Sequence, residues 1–253
     1  MRAVLTYHSI DETGSTISVT PSQFRRHVQW LASSKVSVRS LPNLVGSCVN
    51  PSVDGSDATD AVALTFDDGF MNFADHAMPL LRDHGMSATV FVVSDHVGRD
   101  NRWSGSEHAR VPILPLMDWD ALGEISEAGV EIGAHTRTHP HLPAVSDAQL
   151  EDEMLGSAEV IGGRLGRRPV SFAYPFGASD ERVVSHARQA FSITCSTEFR
   201  ALRSSEDSAR IPRLDAWYFR RAGGLESYGS PAFRLRVALR HQLRQARRHI
   251  TPD

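Results

Sequence analysis

The sequence predicts an α/β barrel, a (β/α)7-type ring of parallel strands with helices outside. Three observations carry this. Short apolar strands alternate with amphipathic helices along most of the chain, as parallel-sheet folds require. The 253 residues match the length of one such barrel, about 250 residues. The unusual polar residues cluster just after predicted strands, where the loops of such a barrel build its working face.

Each element has its own signal. Residues 2–7 form the first strand. Thr20-Pro21-Ser22-Gln23 is a capping box with proline at the first helical position, and its helix turns Phe24, Val28 and Leu31 to one face. A weak strand falls at 36–39. Gly46 to Asp60, rich in Ser, Asp and Gly, reads as a surface loop. Ala61 to Phe66 is a buried strand. Ala74 to His84 is a helix stopped by Gly85 and weakened or kinked by Pro79. Ala88 to Val93 is a strand. A long connection from about Gly98 to Pro115 carries Trp103 and His108, and long loops in compact folds are commonly functional. Asp118 caps a helix ending before Gly129. Val130 to Ala134 is a strand. Ser146 to Gln149 is a second capping box, whose helix aligns Leu150, Met154, Ala158, Ile161 and Leu165. Strands follow at Val170 to Tyr174 and Phe191 to Cys195. Residues 1–230 are expected to form the barrel and residues 231–253 a separate basic amphipathic helix on or beside it.

Composition excludes several classes. Hydrophobic content of 41% and charged content of 23% are those of a globular protein. A net charge of -3 excludes a globally basic nucleic-acid binder. Two cysteines, Cys48 and Cys195, cannot make a disulfide framework. No apolar run approaches the roughly 18 residues of a membrane-spanning helix. The apolar run after Met1-Arg2 is short for a secretory signal and no cleavage site follows it, so a cytoplasmic location is expected.

The chemistry sits at strand ends. Thr65-Phe66-Asp67-Asp68-Gly69 follows the third strand. Two adjacent buried carboxylates are costly without a cation or a shared proton. Neighbouring strand residues face opposite ways, but a turn at Gly69 can bring both to one site. One Asp can then be a metal ligand and the other a base. The alternative is an Asp-Gly turn with a helix-capping Asp. His135-Thr136-Arg137-Thr138-His139 follows another strand. Its histidines at i and i+4 share a face if the segment makes one helical turn, a spacing familiar in zinc sites. Pro140 limits this to a single turn. One acid and two histidines leave a fourth position open, the pattern of catalytic zinc. A third strand ends in Tyr174-Pro175-Phe176-Gly177, a turn with apolar walls and a backbone N–H able to stabilise an oxyanion. Trp103, Trp119 and Trp217 could wall a binding site or simply pack in the core.

On these residues the sequence resembles the polysaccharide deacetylase family, the carbohydrate esterases built on the NodB homology domain. Thr65–Gly69 matches the family's first motif, and His135–His139 matches its second, His-Ser/Thr-x-x-His. The likeness runs from Tyr7-His8 to about Asp215. It implies a distorted (β/α)7-type barrel, Asp67 as general base, and Asp68, His135 and His139 as metal ligands. By position, it makes the Phe176 backbone N–H the oxyanion donor, with Tyr174 and Pro175 in the same turn. Three departures stand out. Ala173 occupies the place of the third motif's arginine, so another group must orient Asp67. An Asp-Trp pair after Cys195 is not evident. The usual Leu-x-His near the C-terminus is missing. Arg213, in Ile211-Pro212-Arg213-Leu214-Asp215, could orient Asp67, contact substrate or form a plain salt bridge. His8, ending the first strand, is the candidate general acid, with Asp11 and Asp215 weaker ones.

The resemblance implies a metal-dependent hydrolase removing an acetyl group, foremost N-acetyl from an amino sugar. O-acetyl ester hydrolysis and a non-catalytic carbohydrate-binding relative are the alternatives. The implied cofactor is a divalent metal, foremost Zn2+, with Co2+, Ni2+ or Fe2+ accepted by related sites. The implied partner is an N-acetylated sugar, oligosaccharide, or lipid- or nucleotide-linked glycan precursor. Residues 231–253 carry six arginines and one acid, with Leu235, Leu239, Leu243, Ala246 and Ile250 in a stripe at helical spacing. The stripe packs on the barrel and leaves a solvated basic face, or it touches an anionic membrane or substrate.

Overall fold

The computed structural model describes residues 1–49, 60–103 and 111–250. Most of the expected loop at 46–60, part of the connection at 98–115 including His108, and residues 251–253 lie outside the described residues. The strands are β1 (Arg2–Tyr7), β2 (Ser9–Ile10), β3 (Ser18–Val19), β4 (Ser37–Val38), β5 (Ala61–Phe66), β6 (Ala88–Val92), β7 (Glu131–Ala134), β8 (Ser171–Ala173), β9 (Ile193–Cys195) and β10 (Arg213–Asp215). Seven of them form the wall in the order β10-β1-β5-β6-β7-β8-β9, with β4 beside the start of β5. Every pairing in this sheet is parallel. Ile211, just before β10, donates to Thr194 O at 2.8 Å and accepts from Ser196 N–H at 2.8 Å, nearly closing the ring. The expected barrel is present.

Residues of β5 are buried on both faces, which is why the strand reads as an unbroken apolar run. Alternation divides them. Val62, Leu64 and Phe66 join the layer beneath the helices with Phe24, Val28 and Leu31 of α1 (Pro21–Ser33). Ala61 and Ala63 turn inward with Val4, Phe91, Ala173, Ile193 and Cys195. Gly133 gives Phe91 its room, because a Cβ there would stand 2.4 Å from the Phe91 ring.

The barrel is plugged at the end where its strands begin. α2 (Leu41–Val49) adds Leu41, Leu44 and Val45 to the interior cluster, and Arg2 donates to Ser47 O at 2.8 Å. This corrects the expected loop, since Gly46 to Val49 continue a helix. The 41, 44, 45, 48 spacing is itself a helical stripe. The predicted helix at 74–84 opens as a π turn (Phe73–Ala77) and continues as α3 (Met78–Asp83). Pro79 falls in the first turn of α3, where a missing N–H costs little. α4 (Trp119–Glu127) is capped by Asp118, as expected. The capping box at Ser146 opens α5 (Asp147–Glu151). A second π turn (Asp152–Gly156) joins α5 to α6 (Ser157–Leu165). α7 (Glu181–Ala190), capped by Asp180, was not anticipated.

The final helix, α8 (Pro231–Ile250), docks by a face other than the leucine stripe. Phe233 and Val237 are buried, whereas Leu235, Leu239 and Leu243 are 61%, 52% and 65% exposed. The barrel offers aromatic faces, and arginines take them. Arg240 lies 3.9 Å over Tyr218, Arg244 5.6 Å over Phe199, and Arg236 5.9 Å over Phe219. A planar guanidinium on a ring face packs its stem and keeps its charge hydrated. The expectation that the stripe packs on the barrel is therefore overturned. Among the described residues, no helix is long and apolar enough to cross a membrane.

Candidate active site

Asp67 continues the inward set of β5 one step past the strand end, and its N–H donates to Tyr7 O at 3.0 Å. Opposite it, β10 begins with Arg213, which is 2% exposed. Its two terminal nitrogens donate to the two Asp67 carboxylate oxygens at 2.7 and 2.8 Å. Its Nε donates to Ser196 O at 3.0 Å. Such a fork fixes a carboxylate in plane as well as in place. Burial alone would raise the Asp67 pKa, but the Arg213 guanidinium, with His8 and His135 beside it, outweighs burial and holds the carboxyl down at about 2. The arginine absent from position 173 is thus supplied from β10.

Asp68 would face away from Asp67 if the strand continued. Instead Asp68 and Gly69 take left-handed backbone, φ 73° and 77°, and the carboxylate swings to the same side. His135 ends β7 on the inward register of Glu131 and Gly133. Its Nδ1 lies 2.7 Å from Ala173 O. A carbonyl only accepts, so Nδ1 carries the proton and Nε2 of the neutral ring presents its lone pair. That Nε2 lies 3.5 Å from Asp68 Oδ1, and His139 Nε2 lies 3.6 Å from the same oxygen. One ligand atom from each of the three residues falls within 4.8 Å of the others.

The histidine pair is not on a helical turn, contrary to expectation. Thr136 and His139 both have left-handed backbone, φ 69° and 61°. The loop is held from outside by Glu153 on the second π turn. Its carboxylate accepts from Arg137 N–H at 2.8 Å, from Thr138 N–H at 2.9 Å and from the Thr138 hydroxyl. Glu153 was not anticipated, because a glutamate within a helical stretch reads as solvated.

The cluster fits a cation. Burial pushes the His139 pKa down to about 3, so that ring is neutral. Burial would lower His135 as well, but hydrogen bonding to Asp68 and the charges of Asp67 and Asp68 turn its shift upward, so a positive charge at Nε2, a proton or a cation in its place, is favoured. Two imidazole nitrogens thus converge on a buried carboxylate. His139 Nδ1 is buried with no hydrogen-bond partner among the described residues. One oxygen and two imidazole nitrogens suit zinc and other borderline metals.

A cavity of about 240 Å³ opens over the cluster, walled in part by Ile17, Asn101, Trp103, Phe176 and Thr197. Trp103 and Phe176 flank His139, with ring centroids at 4.5 and 4.6 Å. The Phe176 turn is left-handed, φ 59°. Gly177 follows where a Cβ would meet the Thr197 hydroxyl at 2.0 Å. His8 stands at the mouth, 27% exposed, its Nε2 3.8 Å from Asp67 Oδ2.

Other candidates fall elsewhere. Tyr174 reaches the cavity wall, but its hydroxyl donates to Ala209 O at 2.9 Å inside the fold. Pro175 is buried behind that wall. Trp217 is not among the lining residues. It donates to Ser15 O at 3.0 Å and carries Arg220 3.7 Å over its ring. Trp119, on α4, lies under Arg164 of α6 and is not among the lining residues. Asp11 accepts from Thr13 N–H and Ser18 Oγ within its own loop, and Asp215 caps a turn through Trp217 N–H.

Known proteins resemble this chain in sequence and in fold. The polysaccharide deacetylase family matches residues 54–191. YxkH of Bacillus subtilis is 24% identical over 186 residues, 74% of this chain. The chain spans only 60% of that protein's length. The poly-beta-1,6-N-acetyl-D-glucosamine N-deacetylase of Staphylococcus epidermidis is 22% identical over 207 residues, 78% of this chain and 67% of that protein. Among solved structures, the Streptococcus pyogenes deacetylase PplD, in complex with acetate, superposes with a TM-score of 0.71 at 20% identity, covering 84% of this chain and 91% of that one. IcaB from Ammonifex degensii superposes with a TM-score of 0.69 at 22% identity, covering 85% and 93%. These likenesses bear on the fold, and the family match covers more than half of the sequence: the chain belongs to the polysaccharide deacetylase family.

Proposed function

We propose that this chain is a metal-dependent hydrolase that removes an N-acetyl group from an amino sugar of a glycan or glycan precursor. The observation that carries the reading is the buried, ionised Asp67, gripped by Arg213 beside a converging Asp-His-His set. Asp68, His135 and His139 would hold the metal, with zinc the best fit to these donors. A divalent cation held there polarises an acetyl carbonyl and acidifies the attacking water.

The chain's own residues do the rest. Asp67 accepts the proton of the attacking water as the new C–O bond forms at the carbonyl carbon. Arg213 keeps both carboxylate oxygens in a fixed plane throughout. The Phe176 N–H is the donor assigned to the developing oxyanion. As the C–N bond breaks, the nitrogen takes a proton, and His8 is the group at the mouth placed to give it. A carboxylate with so low a pKa keeps its proton only briefly, which favours passing it across the 3.8 Å to His8. The products are acetate and a free amine. Trp103 and Phe176 offer apolar walls for a sugar face. Relatives named for N-deacetylation of poly-N-acetylglucosamine support the substrate class.

Asp67→Asn tests the assignment. Acetate release from an N-acetylglucosamine oligomer should fall by about 10²–10⁴-fold, while metal content by atomic absorption stays at the wild-type level. Release near wild type would remove Asp67 from the role of base.

A further inference from the structure

We propose that the outer face of α8 is a docking surface for a bilayer bearing anionic lipid headgroups. At about 100° per residue, Leu235, Leu239 and Leu243 fall within an arc of about 80°. All three side chains are more than half exposed while Phe233 and Val237 fix the helix to the barrel. This stripe is therefore not the helix's packing face, and it has no partner within the described fold.

Charge decides what covers it. The 20 residues of α8 include no acid. Arg236 borders the stripe on one side, and Arg240 and Arg244 follow it round onto the aromatic rings. Arg236 and Arg240 thus border the stripe on the side where the helix meets the barrel, and no acid lies anywhere along it. An apolar strip edged by positive charge and free of carboxylates suits the acyl boundary of a bilayer whose headgroups are anionic. A second copy of this chain fits poorly. Pairing α8 with itself would set arginines against arginines with no carboxylate on either helix. A strip three leucines long also falls well short of the roughly 800 Å² per partner of a standard interface.

The position gives the contact a purpose. Thr197 lines the catalytic cavity and also a shallow pocket formed with His241, Arg244 and Gln245 of α8. The second half of α8 thus stands beside the mouth of the cavity. Resting on the deacetylase reading, docking through α8 brings the cavity to glycans held at a membrane surface.

Vesicle co-sedimentation of the full chain tests this. We expect pelleting with phosphatidylcholine–phosphatidylglycerol vesicles on the order of tenfold above that with phosphatidylcholine alone, and loss of it at high salt. The variant Leu235→Gln/Leu239→Gln/Leu243→Gln should lose pelleting and keep acetate release from a soluble oligomer, since these side chains are already in solvent. No pelleting, equal pelleting with both vesicles, or unchanged pelleting of the variant would overturn the proposal. So would a dimer in light scattering that the variant abolishes, because the stripe would then belong to a second copy. Pelleting requires no turnover, so failure of the deacetylase reading and failure of this one show up separately.

Discussion

A carboxylate that works as a base inside a protein must stay ionised without solvent. Asp67 achieves this chiefly through Arg213, whose fork spans both oxygens, with His8 and His135 adding to it. Three predictions belong to this scale. Arg213→Lys keeps a positive charge but loses the planar pair of bonds, so kcat should fall by about 10²-fold with KM nearly unchanged. Steady-state kinetics on a soluble oligomer decide this, and a loss confined to KM would make Arg213 a substrate contact. Arg213→Met removes the charge that opposes burial, so the Asp67 pKa should rise and the acid limb of kcat/KM should move to higher pH. The same depressed pKa makes stability depend on pH. The folded-state value lies below the ordinary carboxylate value, so the stabilisation is present above about pH 4 and is lost as pH falls toward 2, at roughly 2 kcal/mol. Urea midpoints measured across that range should fall, and fall less in Arg213→Met. The meeting of Asp67, Asp68, His135 and His139 was legible because both pairs follow predicted strands and together match two motifs of one family, although each pair alone also reads as an ordinary turn or surface feature. Arg213 was legible only as a candidate, because which strand end it faces depends on ring closure.

At the scale of elements, the site is built by strand ends that leave regular geometry at chosen points. Period-two alternation carries Asp67 and His135 inward. It could not show that Asp68, Thr136, His139 and Phe176 would all adopt left-handed backbone. Non-glycine residues there cost energy that the surroundings must offset. For the histidine loop, Glu153 offsets it with three hydrogen bonds. Glu153→Gln leaves one oxygen acceptor in place of a carboxylate, so zinc affinity should weaken by about 10–100-fold with the fold retained. Competition with a chelator dye measures this, and an unchanged affinity would show that the loop holds its shape without Glu153. The i, i+4 spacing misled because a helix and an irregular loop can both bring two such histidines together. α2 and α7 carried ordinary helical spacing that was passed over, and β10 is only three residues long with two of them charged.

For the whole molecule, seven short strands wall a barrel whose interior is apolar below and holds the Asp-His-His cluster above. Phe91 lies across that interior because Gly133 has no side chain. Gly133→Ala should destabilise the fold by about 1–3 kcal/mol in urea titration, since the ring cannot retreat without disturbing its neighbours. Barrel and catalytic face were legible because alternation and strand-end chemistry survive in a linear sequence. The docking of α8 was not. Its leucines make the stronger stripe, yet aromatic rings on the barrel favour arginine, and those rings come from residues 199–219, whose placement depends on the rest of the fold. The central claim is that this barrel hydrolyses an N-acetyl group with a metal held by Asp68, His135 and His139. Its most direct test is acetate release after chelation and metal add-back, on N-acetylglucosamine oligomers, UDP-N-acetylglucosamine and an O-acetyl ester. Loss on chelation and recovery with zinc or cobalt on an N-acetyl substrate is the expected result. Release that survives complete metal removal, or that comes from the ester alone, would contradict it.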